Sequence, residues 1–333
     1  MSTKKIAING FGRIGRLAAR IIVESYPEIE IVAVNDLTSV ENLAYLFEYD
    51  STYRRLNYKV SVQRSDIIIH KLDQQVRIKV LSQKDPAQLP WKDLGVDVVL
   101  ECTGRFLTKE LASLHLQSGV KRVILSAPAK EEEIATVVLG VNDISTDQIV
   151  SNASCTTNSM APALKVLEDN YGIEQAIGIT AHAYTATQVL QDAPSKKALR
   201  DGRAAAVNMI PSKTGAAKAV YRVLPNLKGK ISLSALRVPV ITGSMVYLTA
   251  ILKKSVDSET INKVFSHASE NSMKGILEYS EESLVSSDVI QNPHSTILDS
   301  SLTETVGNQV KLVLWYDNEW GYANRLVEVV QNS

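Results

Sequence analysis

Apolar and polar positions divide the chain into two styles of patterning. Up to about residue 150, short apolar runs alternate with stretches of helical spacing. Lys4–Asn9 reads as a buried strand, Arg13–Ser25 as a helix and Glu30–Asn35 as a second strand. Further strand-like runs cover Val60–Ile69, Val76–Val80, Val96–Glu101, Arg122–Leu125 and Thr136–Val141, and a helix is expected over Lys109–Ser118. Apolar strands alternating with helices predict parallel βαβ units covered on both faces.

From about Tyr171 the pattern changes. Long β-type runs appear at Ala176–Ala183, Ile231–Val240 and Met245–Leu252, joined by a long connection over Gln188–Lys230. Clustered strands of this kind predict a mostly antiparallel sheet and an α+β second domain. The tail, Glu319–Val330, has helical spacing and is expected to pack back on an earlier element. A length of 333 residues also favours two domains, at about 150 residues each. The expected division is 1–154 with 319–333, against 155–318.

Charge narrows the choice of partners. Lys plus Arg and Asp plus Glu both total 36, which argues against a dedicated nucleic-acid binder and against a protein held on anionic membranes. No apolar run reaches the roughly 18 residues of a spanning helix, and the start of the chain lacks the apolar core of a signal peptide. The only two cysteines, Cys102 and Cys155, make no disulfide framework. A cytoplasmic location is therefore expected. Locally the balance fails: residues 191–230 hold nine basic side chains (Lys196, Lys197, Arg200, Arg203, Lys213, Lys218, Arg222, Lys228 and Lys230) against Asp192 and Asp201. That stretch is either a solvated surface or the electropositive mouth of a site for a small anion.

Chemistry enters first at the turn after the opening strand. Gly10-Phe11-Gly12-Arg13-Ile14-Gly15 is a G-x-G-x-x-G sequence set between a strand and a helix, with Asp36 following the next strand. The first glycine permits the tight turn, the second lets a pyrophosphate approach, and the third lets helix and strand pack closely. The start of the helix supplies N–H groups to the phosphates. Asp36 can accept bonds from both ribose hydroxyls and would repel a 2′-phosphate, which favours NAD over NADP.

Cys155 lies in Ser151-Asn152-Ala153-Ser154-Cys155-Thr156-Thr157-Asn158, between a strand-like run and the amphipathic Met160–Asp169. That position is at or near a helix start, where dipole and N–H groups favour a thiolate. A nucleophilic thiol needs a base, and of the five histidines His182, at the end of an apolar strand, is the best placed. An imidazolium there would lower the Cys155 pKa. His70, His115, His267 and His294 read as surface or capping residues. Cys102, in the strand-like Val98-Val99-Leu100-Glu101-Cys102, reads as structural.

These motifs together resemble phosphorylating glyceraldehyde-3-phosphate dehydrogenases, in their bacterial form, over essentially the whole chain. The resemblance rests on Ile8–Arg16, Ala153–Asn158, Thr185–Gln188, Gly202–Ala206, Thr214–Val220, Arg237–Pro239 and Trp315–Tyr322. It implies a Rossmann-type parallel-sheet domain binding NAD and an α+β catalytic domain. The implied activity is glycolytic: oxidation and phosphorylation of glyceraldehyde 3-phosphate through a thioester, with no metal ion. By position, Cys155 corresponds to the nucleophile and His182 to its base. Gly10, Phe11, Gly12, Arg13, Ile14, Gly15, Asp36, Thr103, Ser126, Asn318 and Tyr322 correspond to the cofactor site, Asn318 holding the carboxamide. Ser154, Thr156, Thr214 and Gly215 correspond to the site for inorganic phosphate, and Thr185 and Arg237 to that for the substrate's own phosphate. The basic loop at 188–212 corresponds to one that lines a neighbouring subunit's cofactor pocket, which implies a homotetramer.

The chain departs from the family pattern in three places. Ala183 stands where serine is frequent, Cys102 where serine is common, and Ile241–Tyr247 replaces the usual run after Pro239. Three other readings remain at this stage, one of them a non-enzymatic nucleotide-binding or RNA-binding protein that uses the basic loop and has no need of Cys155. Erythrose-4-phosphate dehydrogenases share the thiol chemistry but differ around Tyr184–Thr187, and a cysteine hydrolase would leave the glycine loop without a purpose.

Overall fold

The computed structural model describes residues 3–72, 74–195 and 198–333. Lys196 and Lys197 of the basic segment lie outside the described residues. The chain forms two compact units, one of residues 1–137, 144–153 and 323–333, the other of 138–143 and 154–322.

The first unit is built on a nine-stranded sheet. Its order is Ala135–Thr136, Ile149–Ser151, Arg122–Leu125, Val98–Glu101, Lys4–Asn9, Ile29–Asn35, Gln75–Leu81, Asp66–His70 and Lys59–Gln63. Every pairing from Ala135–Thr136 to Gln75–Leu81 is parallel, and the last two are antiparallel. The parallel strands are nearly uniformly apolar because both faces are covered: Ile6, Ala7 and Ile8 are buried, as are Val98, Val99 and Leu100. Helix Arg13–Ser25 lays Leu17, Ala18, Ile21 and Ile22 against the core at helical spacing. A cluster including Ala7, Ala33, Trp91, Val99, Val123 and Leu125 fills the space beside the sheet.

Two expectations for this unit need correction. Val60–Ile69 is not one strand but a hairpin, whose turn places Arg64 at φ 59°. Four polar residues, Gln63 to Asp66, interrupt the apolar alternation and make the reversal. The expected strand Thr136–Val141 leaves the sheet just after Thr136: Val137 still donates its N–H to the Ser151 carbonyl at 2.8 Å, and Val138 is buried outside the strand. The tail helix, Trp320–Gln331, belongs to this unit from Ala323 onward, and Lys4 Nζ donates to the Val330 carbonyl at 2.8 Å.

The second unit holds an eight-stranded sheet in the order Ile210–Lys213, Ile231–Val238, Ile173–Ala183, Ser244–Leu252, Gln309–Tyr316, Thr296–Asp299 and Leu277–Ser280, with Glu304–Val306 paired to Gln309–Tyr316. Most pairings are antiparallel. Two are parallel: Ile173–Ala183 with Ile231–Val238, and Leu277–Ser280 with Thr296–Asp299. The connection over Gln188–Lys230 is not a plain loop, since it contains strand Ile210–Lys213 and helix Ala216–Val223. Small residues and Pro211 hid both, and the helix is short enough to depend on packing.

Helix Cys155–Tyr171 is longer than its amphipathic core suggests. Ser154 caps it, its Oγ accepting from the Thr157 N–H at 3.1 Å, and Gly172 ends it at φ 67°. Pro162 lies inside the helix and cannot donate to the carbonyl four residues back. Among the described residues, no helix is long and apolar enough to cross a membrane, and no cluster of three or more His, Cys, Asp or Glu side chains could hold a metal ion.

Candidate active site

In the first unit a cleft of about 520 Å³ opens over the carboxyl ends of the parallel strands. Gly10, Gly12, Asp36 and Thr103 line it, together with Asn9, Asn35, Gln83, Lys84, Cys102 and Arg105. Its size falls in the usual range for small-molecule sites, and strand ends of this kind are where open parallel sheets bind ligands.

Each glycine of the loop has a separate reason to be there. Gly10 has φ 93°, and a Cβ on it would lie 2.7 Å from the Thr103 nitrogen. A Cβ on Gly15 would lie 2.3 Å from the Gly10 oxygen. Gly12 has no protein atom within 4 Å of where its Cβ would be, so nothing in the chain itself demands a glycine. A ligand backed closely against the helix start does demand one. The Asp36 carboxylate accepts from the Phe11 N–H at 2.9 Å and from the Thr38 N–H at 3.0 Å, which pins it beside the loop. These features suit a dinucleotide.

The other expected cofactor residues are more dispersed. Phe11 is turned into the core, its ring 5.4 Å from that of Phe47. Arg13 pairs with Asp50 and stacks over Tyr53, and Ile14 is half-buried in the first helical turn. Ser126 bonds back to the Glu101 carbonyl through its N–H, at 3.0 Å, and hydrogen-bonds the Cys102 thiol. Burial pushes that thiol up to about 12, which makes it inert. Asn318 and Tyr322 belong to the second unit, and both are buried. The Asn318 Oδ1 accepts from Ser244 at 2.8 Å and from Thr242 at 3.3 Å, so its amide nitrogen is the end left for a ligand.

In the second unit Cys155 is the first residue of its helix, and His182 is the penultimate residue of strand Ile173–Ala183. The Cys155 Sγ and His182 Nε2 lie 3.4 Å apart. Parallel pairing sets His182 directly beside Arg237 on the next strand. The Arg237 Nη1 is 2.6 Å from His182 Nδ1 and donates to the Ala183 carbonyl at 3.2 Å. The same Nδ1 lies 2.7 Å from that carbonyl. A neutral imidazole offers one donor and one acceptor, so Nδ1 either accepts from Arg237 or donates to Ala183. Only the second choice turns the Nε2 lone pair toward the thiol.

Electrostatics correct one expectation. Burial first, then the Arg237 charge, push His182 down to about 4, against a smaller opposing effect of the Ala183 carbonyl. Burial likewise raises the Cys155 thiol above its ordinary value, although Arg237, Thr156 and backbone N–H groups at the helix start pull the other way. The resting pair is therefore a thiol and a neutral imidazole, not a preformed thiolate and imidazolium. Desolvation of both groups outweighs the helix end.

Three neighbours escaped the sequence reading. The buried Tyr316 hydroxyl bonds Thr180 at 2.8 Å and Thr156 at 3.1 Å, and its ring meets His182 edge-on at 6.0 Å. Thr180 sits two residues before His182 and so on the same strand face, which was the available signal. Ser244 accepts from the Ala183 N–H at 3.0 Å while donating to Asn318.

The expected phosphate-binding residues are less unified. The Ser154 hydroxyl is engaged with Thr157 at 2.7 Å. Thr185 bonds Gln188 and Thr187, and the Thr214 hydroxyl accepts from Ala216 as Gly215 opens its helix. No hydrogen bond among the described residues joins Thr185, Thr214 and Arg237 to one another.

A parallel-sheet dinucleotide unit together with a Cys–His unit defines the class of thiol-dependent, nicotinamide-linked dehydrogenases. Residues 4–109 match the family model for the glyceraldehyde 3-phosphate dehydrogenase NAD binding domain, and residues 154–318 match that for the C-terminal domain of the same family. The chain is 52% identical to a glyceraldehyde-3-phosphate dehydrogenase of Mycobacterium avium over 336 residues, covering 98% of each chain. Identity to those of Mycolicibacterium smegmatis and Kitasatospora aureofaciens is 51% and 48%, again over 98% of each. The chain belongs to the glyceraldehyde-3-phosphate dehydrogenase family, and its cofactor is NAD.

Proposed function

We propose that this protein oxidises glyceraldehyde 3-phosphate with NAD and inorganic phosphate to give 1,3-bisphosphoglycerate. The observation that carries the reading is the 3.4 Å approach of His182 Nε2 to the Cys155 sulfur. The Cys155 sulfur adds to the aldehyde carbon, the C=O π bond opens, and the thiol proton passes to the former carbonyl oxygen, forming a hemithioacetal. His182 receives a proton at Nε2 from the hemithioacetal hydroxyl as that carbon is oxidised to a thioester. Bound NAD supplies the two-electron acceptor. N–H groups at the start of the Cys155 helix face the sulfur and can steady the oxyanion. Phosphate then attacks the thioester carbon, the C–S bond breaks, and the acyl phosphate leaves with the thiolate regenerated.

Residues 1–154 with 319–333 hold the cofactor in this reading, and 155–318 carry the chemistry. Gly10 to Gly15, Asp36, Thr103, Ser126, Asn318 and Tyr322 serve NAD. Ser154, Thr156, Thr214 and Gly215 serve inorganic phosphate, and Thr185 with Arg237 the substrate's own phosphate. The guanidinium suits that task because charge-assisted bonds to phosphate are strong.

A homotetramer is part of the proposal. Ile177, Ile179 and Tyr247 share one face of the second sheet and are 63%, 50% and 42% exposed, more apolar surface than a lone strand pair ordinarily shows to water. A cytoplasmic location suits two unpaired cysteines. The direct test is Cys155→Ser. Turnover falls by about 10³-fold or more while NAD still binds; undiminished turnover rejects the mechanism.

A further inference from the structure

The dinucleotide cleft stands on a buried polar chain that the proposed chemistry does not use. Glu101, at the end of strand Val98–Glu101, is wholly buried, and so are His115 and Trp91. All the partners of its carboxylate are donors. Oε1 accepts from the Thr103 N–H at 2.8 Å and from the Thr103 hydroxyl. Oε2 accepts from Asn9 Nδ2 at 2.6 Å and lies 3.2 Å from His115 Nε2.

The indole fixes the histidine tautomer. Trp91 Nε1 donates to His115 Nδ1 at 3.1 Å, so Nδ1 carries the lone pair and Nε2 carries the hydrogen aimed at Glu101. Four donors thus meet the four lone-pair directions of one carboxylate. A buried carboxylate is tolerable only when saturated in this way.

From Glu101 the chain of bonds runs outward to the cleft. Asn9 Oδ1 accepts from Asn35 Nδ2 at 2.7 Å. Asn35 in turn donates to the Gln83 carbonyl at 2.9 Å and accepts from the Gln83 N–H at 2.8 Å. Asn9, Asn35, Gln83 and Thr103 all line the cleft. Thr103 is also the wall on which the glycine loop leans, since its nitrogen stands 2.7 Å from where a Gly10 Cβ would be.

We propose that Glu101, held by His115 and Trp91, is a positioning residue that aligns the floor of this cleft and thereby sets its affinity for NAD. The inference rests on the cleft being the dinucleotide site. Replacing the carboxylate by an amide turns an N–H toward one of four donors, leaving at least one buried group unpaired.

Calorimetric titration of the full chain with NAD tests this. Glu101→Gln weakens the dissociation constant by about thirtyfold, the consequence of one unsatisfied buried polar group. The swapped pair Asn9→Asp with Glu101→Gln restores a saturated network, because the new carboxylate accepts from the amide, from Asn35 and from His115, whose Nε2 already lies 3.4 Å from Asn9 Nδ2. Its affinity returns to within about fivefold of wild type, a rescue that mere loss of packing would not show. Should Glu101→Gln fail to fold, Trp91→Phe keeps an aromatic ring in the core while removing the donor that fixes His115 and part of the indole's volume, and weakens NAD by about fivefold. Unchanged affinity in the foldable variant, or a swapped pair no better than Glu101→Gln, overturns the proposal. A wild-type chain that binds no NAD overturns the reading of the cleft instead.

Discussion

The sulfur of Cys155 lies 3.4 Å from Nε2 of His182, though 27 positions separate them in the chain. A helix start delivers the thiol and a strand end delivers the imidazole, and Arg237 on the adjoining strand touches the far nitrogen of the ring. The geometry is that of a proton-transfer pair, yet burial keeps both members neutral at rest.

That neutrality has a kinetic signature. The thiolate is the reactive form, and the Cys155 thiol sits above its ordinary value. Alkylation of the cofactor-free protein by iodoacetamide is therefore slow near neutrality and climbs about tenfold per pH unit into the alkaline range. A rate that is already level below pH 7 would mean a preformed thiolate and contradict this account.

His182 also ties stability to pH. Its folded-state value is about 4 against 6.5 for an ordinary histidine, so the unfolded chain binds the proton more readily. Stability is then fully present above about pH 6.5 and declines as pH falls toward 4, by on the order of 3 kcal/mol from this group. Urea unfolding at pH 7 and pH 4.5 measures the slope. His182→Gln should flatten it; an equal slope in the variant would remove His182 as its source.

The glycine loop separates binding from folding. Gly12 has φ −73° and open space beside it, so Gly12→Ala should change stability by less than about 0.5 kcal/mol. It should weaken NAD by about tenfold or more, because its methyl takes the place of the pyrophosphate. Gly15→Ala drives a methyl into the Gly10 carbonyl and should cost about 2 kcal/mol or more of stability. Thermal midpoints and NAD titrations of the two variants check the contrast, and matching behaviour would refute it.

Local signals carried much of this into the sequence. Gly10, Gly12 and Gly15 announce a turn with fixed backbone demands, Asp36 follows its strand, and Cys155 precedes a helical run among polar residues. What escaped depends on contacts between distant positions. His115 reads from the sequence as a surface or capping residue, and the fold overturns this: it is wholly buried between Trp91 and Glu101. Arg237 reveals nothing alone, since its place beside His182 is set by the parallel register of two strands far apart in the chain. The hairpin within Val60–Ile69 was hidden because strand periodicity does not mark where a strand reverses.

The central claim is a covalent acyl intermediate on Cys155 that inorganic phosphate releases. Stopped-flow recording of NADH formation from glyceraldehyde 3-phosphate and NAD, with and without phosphate, tests it most directly. Without phosphate the account predicts a burst equal to the number of active sites followed by near arrest, and with phosphate continuous turnover. A steady rate indifferent to phosphate would contradict it.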